Sequence, residues 1–396
     1  MPKRDRLEQL TQHVAAASLD DARRPSRRAP AAAGAAGRAV RFDLVLANGR
    51  VIDPESGTDE VLNVGIVGDK IVAVGPASEV NTPPPPSPSP HLTPRRAKVD
   101  PADAATTRDC AGHIVCPGFI DLHAHGQNNE SARLQAQDGV TTHLELEVGT
   151  YPVDAFLAQR EALGAIINFG SSVGHIPARA AAISGVTVPF SVADDPCCMI
   201  ETKQMSVPAH KEAATPSQLR RLWGMLGDGL DQGGIGIGAG IVYTPGANHT
   251  ETYELAKTVA KHGVALFVHI RGRGPVGLED FHEMFSNAAT AGASIHICHT
   301  LSSARAAHQS GVSDLLEMAT KLNEQGIDIS FEQYPYPYGM TNLRTEQSSV
   351  WNPNQLLRQV KRKDTGEIMT GPAAAQAGRT GTRLLDAFNE CNLPSR

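Results

Sequence analysis

No run of about 18 apolar residues occurs in this 396-residue chain, so nothing in it reads as a membrane-spanning helix. Basic runs are missing too. Lys and Arg number 36 against 42 Asp and Glu, a formal net charge of −6, so no phosphate-binding footprint stands out and no nucleic-acid partner is expected. Cysteine is sparse, at six residues. Cys197 and Cys198 are adjacent, and Cys110, Cys116, Cys298 and Cys391 lack zinc-ribbon spacing, which argues against a disulfide framework and fits a reducing, cytoplasmic setting. The N-terminus has no apolar core of the kind a secretory signal needs. Its Arg/Ala-rich character faintly suggests an organelle transit peptide, but Asp5, Glu8, Asp20 and Asp21 weigh against that. Residues 1–40 therefore read as a disordered extension.

What is present is enough for a large α/β domain with a small accessory module, since 41% of the residues are hydrophobic. From Arg41 short β-type runs alternate with Gly/Asp turns, and Gly68-Asp69-Lys70 between two apolar runs is a hairpin signal. Residues 41–117 read as a small β-rich module. The run Thr82-Pro-Pro-Pro-Pro-Ser-Pro-Ser-Pro90 favours polyproline II, so 81–105 reads as a surface insertion. Beyond Gly118 the rhythm changes. Strand candidates at 119–123, 140–146, 166–173, 234–239, 264–269, 293–298 and 327–333 alternate with helix candidates at 154–163, 217–231, 250–262, 278–291 and 311–325. Strand, helix, strand at this spacing implies right-handed parallel crossovers. Seven such units over 118–341 point to a TIM-like (β/α) barrel, with chemistry expected at the C-terminal ends of the strands.

Several side chains fall at those ends. Pro117-Gly-Phe-Ile-Asp-Leu-His123-Ala-His125 closes the first barrel strand with two histidines, which project to one side and can grip a metal ion. His269 and His299 each end an apolar run, on the fifth and sixth strands. His296 lies inside its strand and reads as a packing residue, and Cys298 reads as a buried filler. In the second strand, Leu144, Leu146 and Val148 alternate with His143, Glu145 and Glu147. The apolar set suits the helix layer, which sends the polar set to the interior, where carboxylates are costly unless paired or metal-bound. Glu147, nearest the strand end, is the candidate metal ligand, and Glu145 a partner of His143 or of a ligating histidine.

The nine residues ending at His125 resemble the signature of the amidohydrolase superfamily, and the strands of 41–117 resemble its small β-sandwich module. Further segments resemble its N-acyl-D-amino-acid deacylase (D-aminoacylase) family: Asn168–His175, the Gly-rich run from Gly234 to Tyr243, Val268-His269-Ile270-Arg271, and Glu332-Gln-Tyr-Pro-Tyr336. The resemblance is collinear from about residue 42 to 341. It implies hydrolysis of the amide of a small-molecule N-acyl-D-amino acid by a metal-activated water, using one or two divalent ions, zinc foremost. It puts Tyr243 and Tyr336 near the substrate. Two departures stand out. Many members hold the tight metal with a cysteine after strand two, where this chain has Glu147, and a harder ligand favours two metals or an ion other than zinc. A substrate-facing lysine is replaced after His299 by Thr-Leu-Ser-Ser, leaving Arg271 or Ser302 to meet the substrate carboxylate.

The resemblance also implies an eighth-strand aspartate that moves the water proton, and no strand-like run ends in one. Residues 342–396 read as an irregular or helical tail, with Asp386 in a helical pattern, so the chain looks truncated relative to the family. A catalytically impaired paralogue that binds metal or a partner is the alternative. A cyclic amidohydrolase of the dihydroorotase or hydantoinase kind is disfavoured, because such enzymes usually carry a carboxylated lysine on strand four and Gly234–Gly240 has none. Oligomeric state is left open.

Overall fold

The computed structural model describes residues 41–78, 95–185, 208–271, 278–300 and 311–333, with two short paired segments at 360–361 and 368–369. The chain divides into two compact units at Phe119/Ile120. Among the described residues no helix is long and apolar enough to cross a membrane.

The first unit is a mixed six-stranded sheet. β1 (Phe42–Asp53) is its long central strand. It pairs antiparallel with β2 (Thr58–Val67) and parallel with both β5 (Ala104–Asp109) and β6 (Ile114–Val115). β3 (Lys70–Gly75) follows β2 through the expected hairpin, with Gly68 at φ 58° in the turn. β4 (Arg95–Arg96) lies beside β3. Two apolar clusters form on this sheet, one around Phe42, Val45 and Val99, the other around Val51, Leu62 and Val64. The small N-terminal sheet module expected from the sequence is present, its described strands joined by hydrogen bonds in one sheet. One boundary changes: the sheet resumes inside the stretch read as an insertion, because β4 and the start of β5 fall within 81–105. The proline run itself lies outside the described residues.

The second unit holds a seven-stranded sheet in strict sequence order: β7 (Phe119–Asp121), β8 (Val140–Thr150), β9 (Asn168–Gly174), β10 (Gly236–Gly240), β11 (Ala265–His269), β12 (Ser294–Ile297) and β13 (Ile329–Phe331). Its pairings from β8 to β13 are all parallel. Helices α1 (Asn129–Gln137), α2 (Val153–Leu163), α3 (His175–Ser184), α4 (Pro216–Asp231), α5 (His249–His262), α6 (Leu278–Ala291) and α7 (Gly311–Glu324) lie between the strands in sequence. α1 and α3 were not anticipated. α1 is short, and α3 begins at His175, where the sequence reads as a strand end.

Local chemistry sets the helix ends. Thr215 caps α4 through a capping box with Gln218, and Pro216 occupies the first turn, where its missing N–H costs nothing. Asn248 accepts from Glu251 N at the start of α5, and Gly263 closes that helix in the left-handed conformation. Apolar residues at helical spacing then bury one face of α4, α5 and α6 against the sheet. Leu222 and Leu226, Leu255 and Val259, and Phe281 and Met284 join Ile237, Leu266, Val268, Ile295 and Ile297 in one core. Truncating Phe281, which is fully buried, should cost about 3–5 kcal/mol.

The sheet curls on itself. Glu332, just past β13, bonds His123, just past β7, so the first and seventh strands approach at their C-terminal ends. This is the (β/α) barrel expected from the sequence, with seven strands among the described residues. The tail read as lacking an eighth strand, with Asp386, lies outside them except for the short antiparallel pair β14 (Val360–Lys361) and β15 (Ile368–Met369).

Candidate metal centre

Glu147 is the hub of the site. Its carboxylate is 3% exposed, and each oxygen lies between a pair of imidazoles. Oε1 is 2.6 Å from His269 Nδ1 and 2.8 Å from His299 Nε2. Oε2 is 3.0 Å from His123 Nε2 and 3.2 Å from His125 Nε2, and those two nitrogens are 3.0 Å apart. All five residues expected from the sequence to bind metal are thus brought together. One donor atom each from His123, Glu147 and His299 falls within a 4.8 Å span.

The backbone explains the convergence. After β7 the chain is pinned to β8 by an isolated bridge between His123 and Glu145, and Asp121 Oδ1 accepts from His123 N at 3.0 Å. Between Glu145 and Thr150 the register of β8 against β9 shifts. Gly149 makes this irregularity feasible. Its φ is 66°, and a Cβ there would come within 2.6 Å of Gly174 N. His269 ends β11 in register with Gly240. His299 follows β12 at φ 33°, an uncommon conformation for a histidine and one often found at functional positions.

The alternation expected in β8 is reversed over its first half. Leu144 and Leu146 pack with Phe267 and Cys298, on the opposite side from the helix-facing core of Leu266 and Val268. His143 bonds Gln135 of α1 through Nδ1 at 2.7 Å. The register shift then lets Glu147 reach the site. A simple two-residue period cannot anticipate such a shift.

Two further carboxylates orient the His-x-His pair. Glu145 Oε2 lies 2.9 Å from His125 Nδ1, and Glu332 Oε1 bonds His123 Nδ1. Each imidazole is gripped by one nitrogen and turns the other towards Glu147, the arrangement that fixes metal-binding histidines. The sequence reading placed Glu332 in a family-like segment without giving it a role. His296, read as a packing residue, bonds Ser330 Oγ at 2.8 Å and lies 3.4 Å from Glu332 Oε2.

The electrostatics favour positive charge. Burial disfavours a charged His123, yet Glu147 and Glu332 outweigh it and raise the imidazole to about 10. Burial likewise opposes ionisation of Glu147, but the surrounding histidines hold its pKa well below the usual carboxylate range. Four imidazoles and a buried carboxylate with closely spaced lone pairs suit a divalent cation of intermediate softness.

The substrate-side expectations divide. The Tyr243 ring lies 5.0 Å from the His269 ring, at the edge of the cluster. Arg271, expected to meet the substrate carboxylate, is engaged by other groups. Its Nε and Nη2 are held by Glu283 at 2.7 and 3.1 Å, and its Nη1 donates to Ala247 O at 2.6 Å, so a buried guanidinium is committed to tying α5 and α6 together. Tyr336 and Ser302 lie outside the described residues.

No protein-family model matches the chain. Over 338 residues it is 25% identical to the D-aminoacylase of Alcaligenes xylosoxydans xylosoxydans, a match covering 77% of this chain and 60% of that protein. It is 26% identical over 338 residues to the N-acyl-D-glutamate deacylase of the same organism, covering 78% and 60%. The chain therefore spans about 60% of the length of these curated relatives. Among solved structures it is similar to an N-acyl-D-glutamate deacylase from Bordetella bronchiseptica, complexed with zinc and a phosphonate mimic of the tetrahedral intermediate. That likeness has a TM-score of 0.60 at 20% identity and covers 88% of this chain and 72% of that one.

Proposed function

We propose that this chain belongs to the D-aminoacylase family of amidohydrolases and hydrolyses the amide of N-acyl-D-amino acids. His123, His125, Glu147, His269 and His299 would hold one or two divalent ions, zinc first among them. The observation that carries this reading is the Glu147 carboxylate, with His269 and His299 at one oxygen and His123 and His125 at the other.

A bound divalent ion would supply Lewis acidity, lowering the pKa of a water and polarising the scissile carbonyl. The protein's own contribution is positional. Glu145 and Glu332 fix the two histidines of the His-x-His pair, and Glu147 offsets the positive charge gathered around it. Tyr243 stands beside His269, where its ring can border a bound substrate. β10, which reads Gly-Ile-Gly-Ala-Gly, carries no lysine, so the carboxylated lysine expected of a cyclic amidohydrolase has no source on that strand. Glu147 supplies a carboxylate from β8 instead.

The experiment is purification of the full chain, metal analysis, and assay against N-acetyl-D- and N-acetyl-L-amino acids, dihydroorotate and hydantoin. The expected result is one or two equivalents of divalent ion and D-selective release of free amino acid, abolished by a chelator and restored by the ion. Stoichiometric metal without deacylation, or turnover confined to the cyclic substrates, would overturn the assignment.

A further inference from the structure

We propose that the chain has another metal position, on the far side of His123 from Glu147, built by His123, His296, Cys298 and Glu332. It rests on the preceding reading in one respect: His123, placed there at the Glu147 centre, serves this position instead when it is filled. Glu332 is its hub, as Glu147 is the hub of the first. One oxygen bonds His123 Nδ1, and the other lies 3.4 Å from His296 Nε2. One donor atom each from His123, Cys298 and Glu332 falls within a 4.8 Å span.

The donor set is two imidazoles, a thiol and a carboxylate, which suits zinc or cobalt. Bond lengths of about 2.0–2.3 Å in a tetrahedron separate ligand atoms by about 3.3–3.8 Å, so the His296–Glu332 spacing already fits and the span across His123, Cys298 and Glu332 is within about 1.5 Å of that geometry. The surroundings hold the donors in place. Ser330 Oγ fixes His296 from its Nδ1 side at 2.8 Å. Glu332 is anchored through its backbone, donating to Ile297 O at 3.2 Å and accepting from Thr300 N at 3.1 Å. Cys298 is 1% exposed, against the apolar wall of Leu144, Leu146 and Phe267.

Sharing His123 imposes a proton constraint. A neutral imidazole has one lone pair, so ligation through Nδ1 requires the proton on Nε2, where Glu147 Oε2 at 3.0 Å accepts it. Cys298 gives up its thiol proton to solvent as the ion binds. The first position keeps His125, Glu147, His269 and His299.

Cobalt(II) titration of the full chain, followed by absorption spectroscopy, tests this without any assay of turnover. The expected result is two bound equivalents, one of them giving a thiolate-to-cobalt charge-transfer band in the near ultraviolet. Cys298→Ser should remove that band and one equivalent while the visible d–d bands of the first position remain. Glu332→Gln, which keeps the thiol, should weaken the equivalent that carries the band by at least tenfold. Bound cobalt without the band, or a band that survives Cys298→Ser, would overturn this position and leave the Glu147 centre standing. Failure to bind any cobalt would overturn both.

Discussion

Glu147 Oε1 and His269 Nδ1 meet at 2.6 Å although 122 residues separate them, joining β8 to β11 within the barrel unit. Removing that carboxylate leaves the imidazoles facing one another without the negative charge at their centre, Glu145 and Glu332 staying on the outer sides of His125 and His123. Loss of a mere outer partner of a metal ligand costs 10–100-fold in affinity, so Glu147→Ala should weaken divalent-ion binding by at least about 100-fold. Glu147→Cys restores an anionic donor and should recover much of that affinity, with a preference shifted towards softer ions. Chelator-competition titrations with zinc and manganese check both expectations. Equal zinc affinity in wild type and Glu147→Ala would remove Glu147 from the ligand set.

Much of this site was legible because strand ends in a parallel barrel converge. An apolar run closing on a histidine places that imidazole at the rim, and His123, His125, His269 and His299 follow this rule. Glu147 lies among the imidazoles, in keeping with the cost of a buried carboxylate, but it gets there by a different geometry from the simple alternation. Leu144 and Leu146 line the interior, and the register shift before Gly149 redirects the strand. Glu332 was harder to find. Its role depends on the sheet curling until β13 meets β7, a long-range fact that no local pattern encodes. The partner of Arg271 is not legible locally, because a buried guanidinium looks identical in sequence whether it faces a substrate or Glu283.

Gly240 is held small by Tyr243. A Cβ at this position would approach the tyrosine ring to 2.6 Å and Ile176 to 3.0 Å. Gly240→Ala should therefore displace the ring from its place beside His269 while leaving the donor atoms where they are. If Tyr243 borders the substrate, KM should rise by about 10-fold, equivalent to about 1.4 kcal/mol of lost binding, with metal stoichiometry unchanged. Steady-state kinetics beside metal analysis separate the two effects. An unchanged KM would take Tyr243 out of substrate binding.

Arg271 should behave as a structural residue. Both members of its ion pair with Glu283 are less than a tenth exposed, so Arg271→Met leaves a buried carboxylate without its guanidinium. Breaking such a pair typically costs about 3–5 kcal/mol. Denaturant unfolding should show that loss, and the apparent affinity for an N-acyl amino acid should stay within about twofold wherever the variant is folded. A large rise in KM with wild-type stability would return Arg271 to the substrate site.

A second buried network sits apart from the metal ligands and gives the fold an acid limit. Glu251 lies 2.9 Å from His175 Nε2 and 2.8 Å from Arg179 Nε, with all three side chains at most 2% exposed. Burial alone would raise the glutamate, but the hydrogen bonds and charges of His175 and Arg179 prevail and lower it from 4.5 to about 2. A depressed folded-state pKa stabilises the protein above the unfolded-state value, and that stability is lost as pH falls through the folded-state value. The window therefore runs from about pH 4.5 down to about pH 2. A difference of about 2.5 pH units corresponds to about 3 kcal/mol. Glu251→Gln resembles the protonated side chain, so it should be less stable than wild type at pH 7, with the gap closing as the pH approaches 2. Urea unfolding of both proteins across this range measures the gap. A gap that stays constant from pH 7 to pH 2 would mean that the Glu251 carboxylate is not what Arg179 and His175 stabilise.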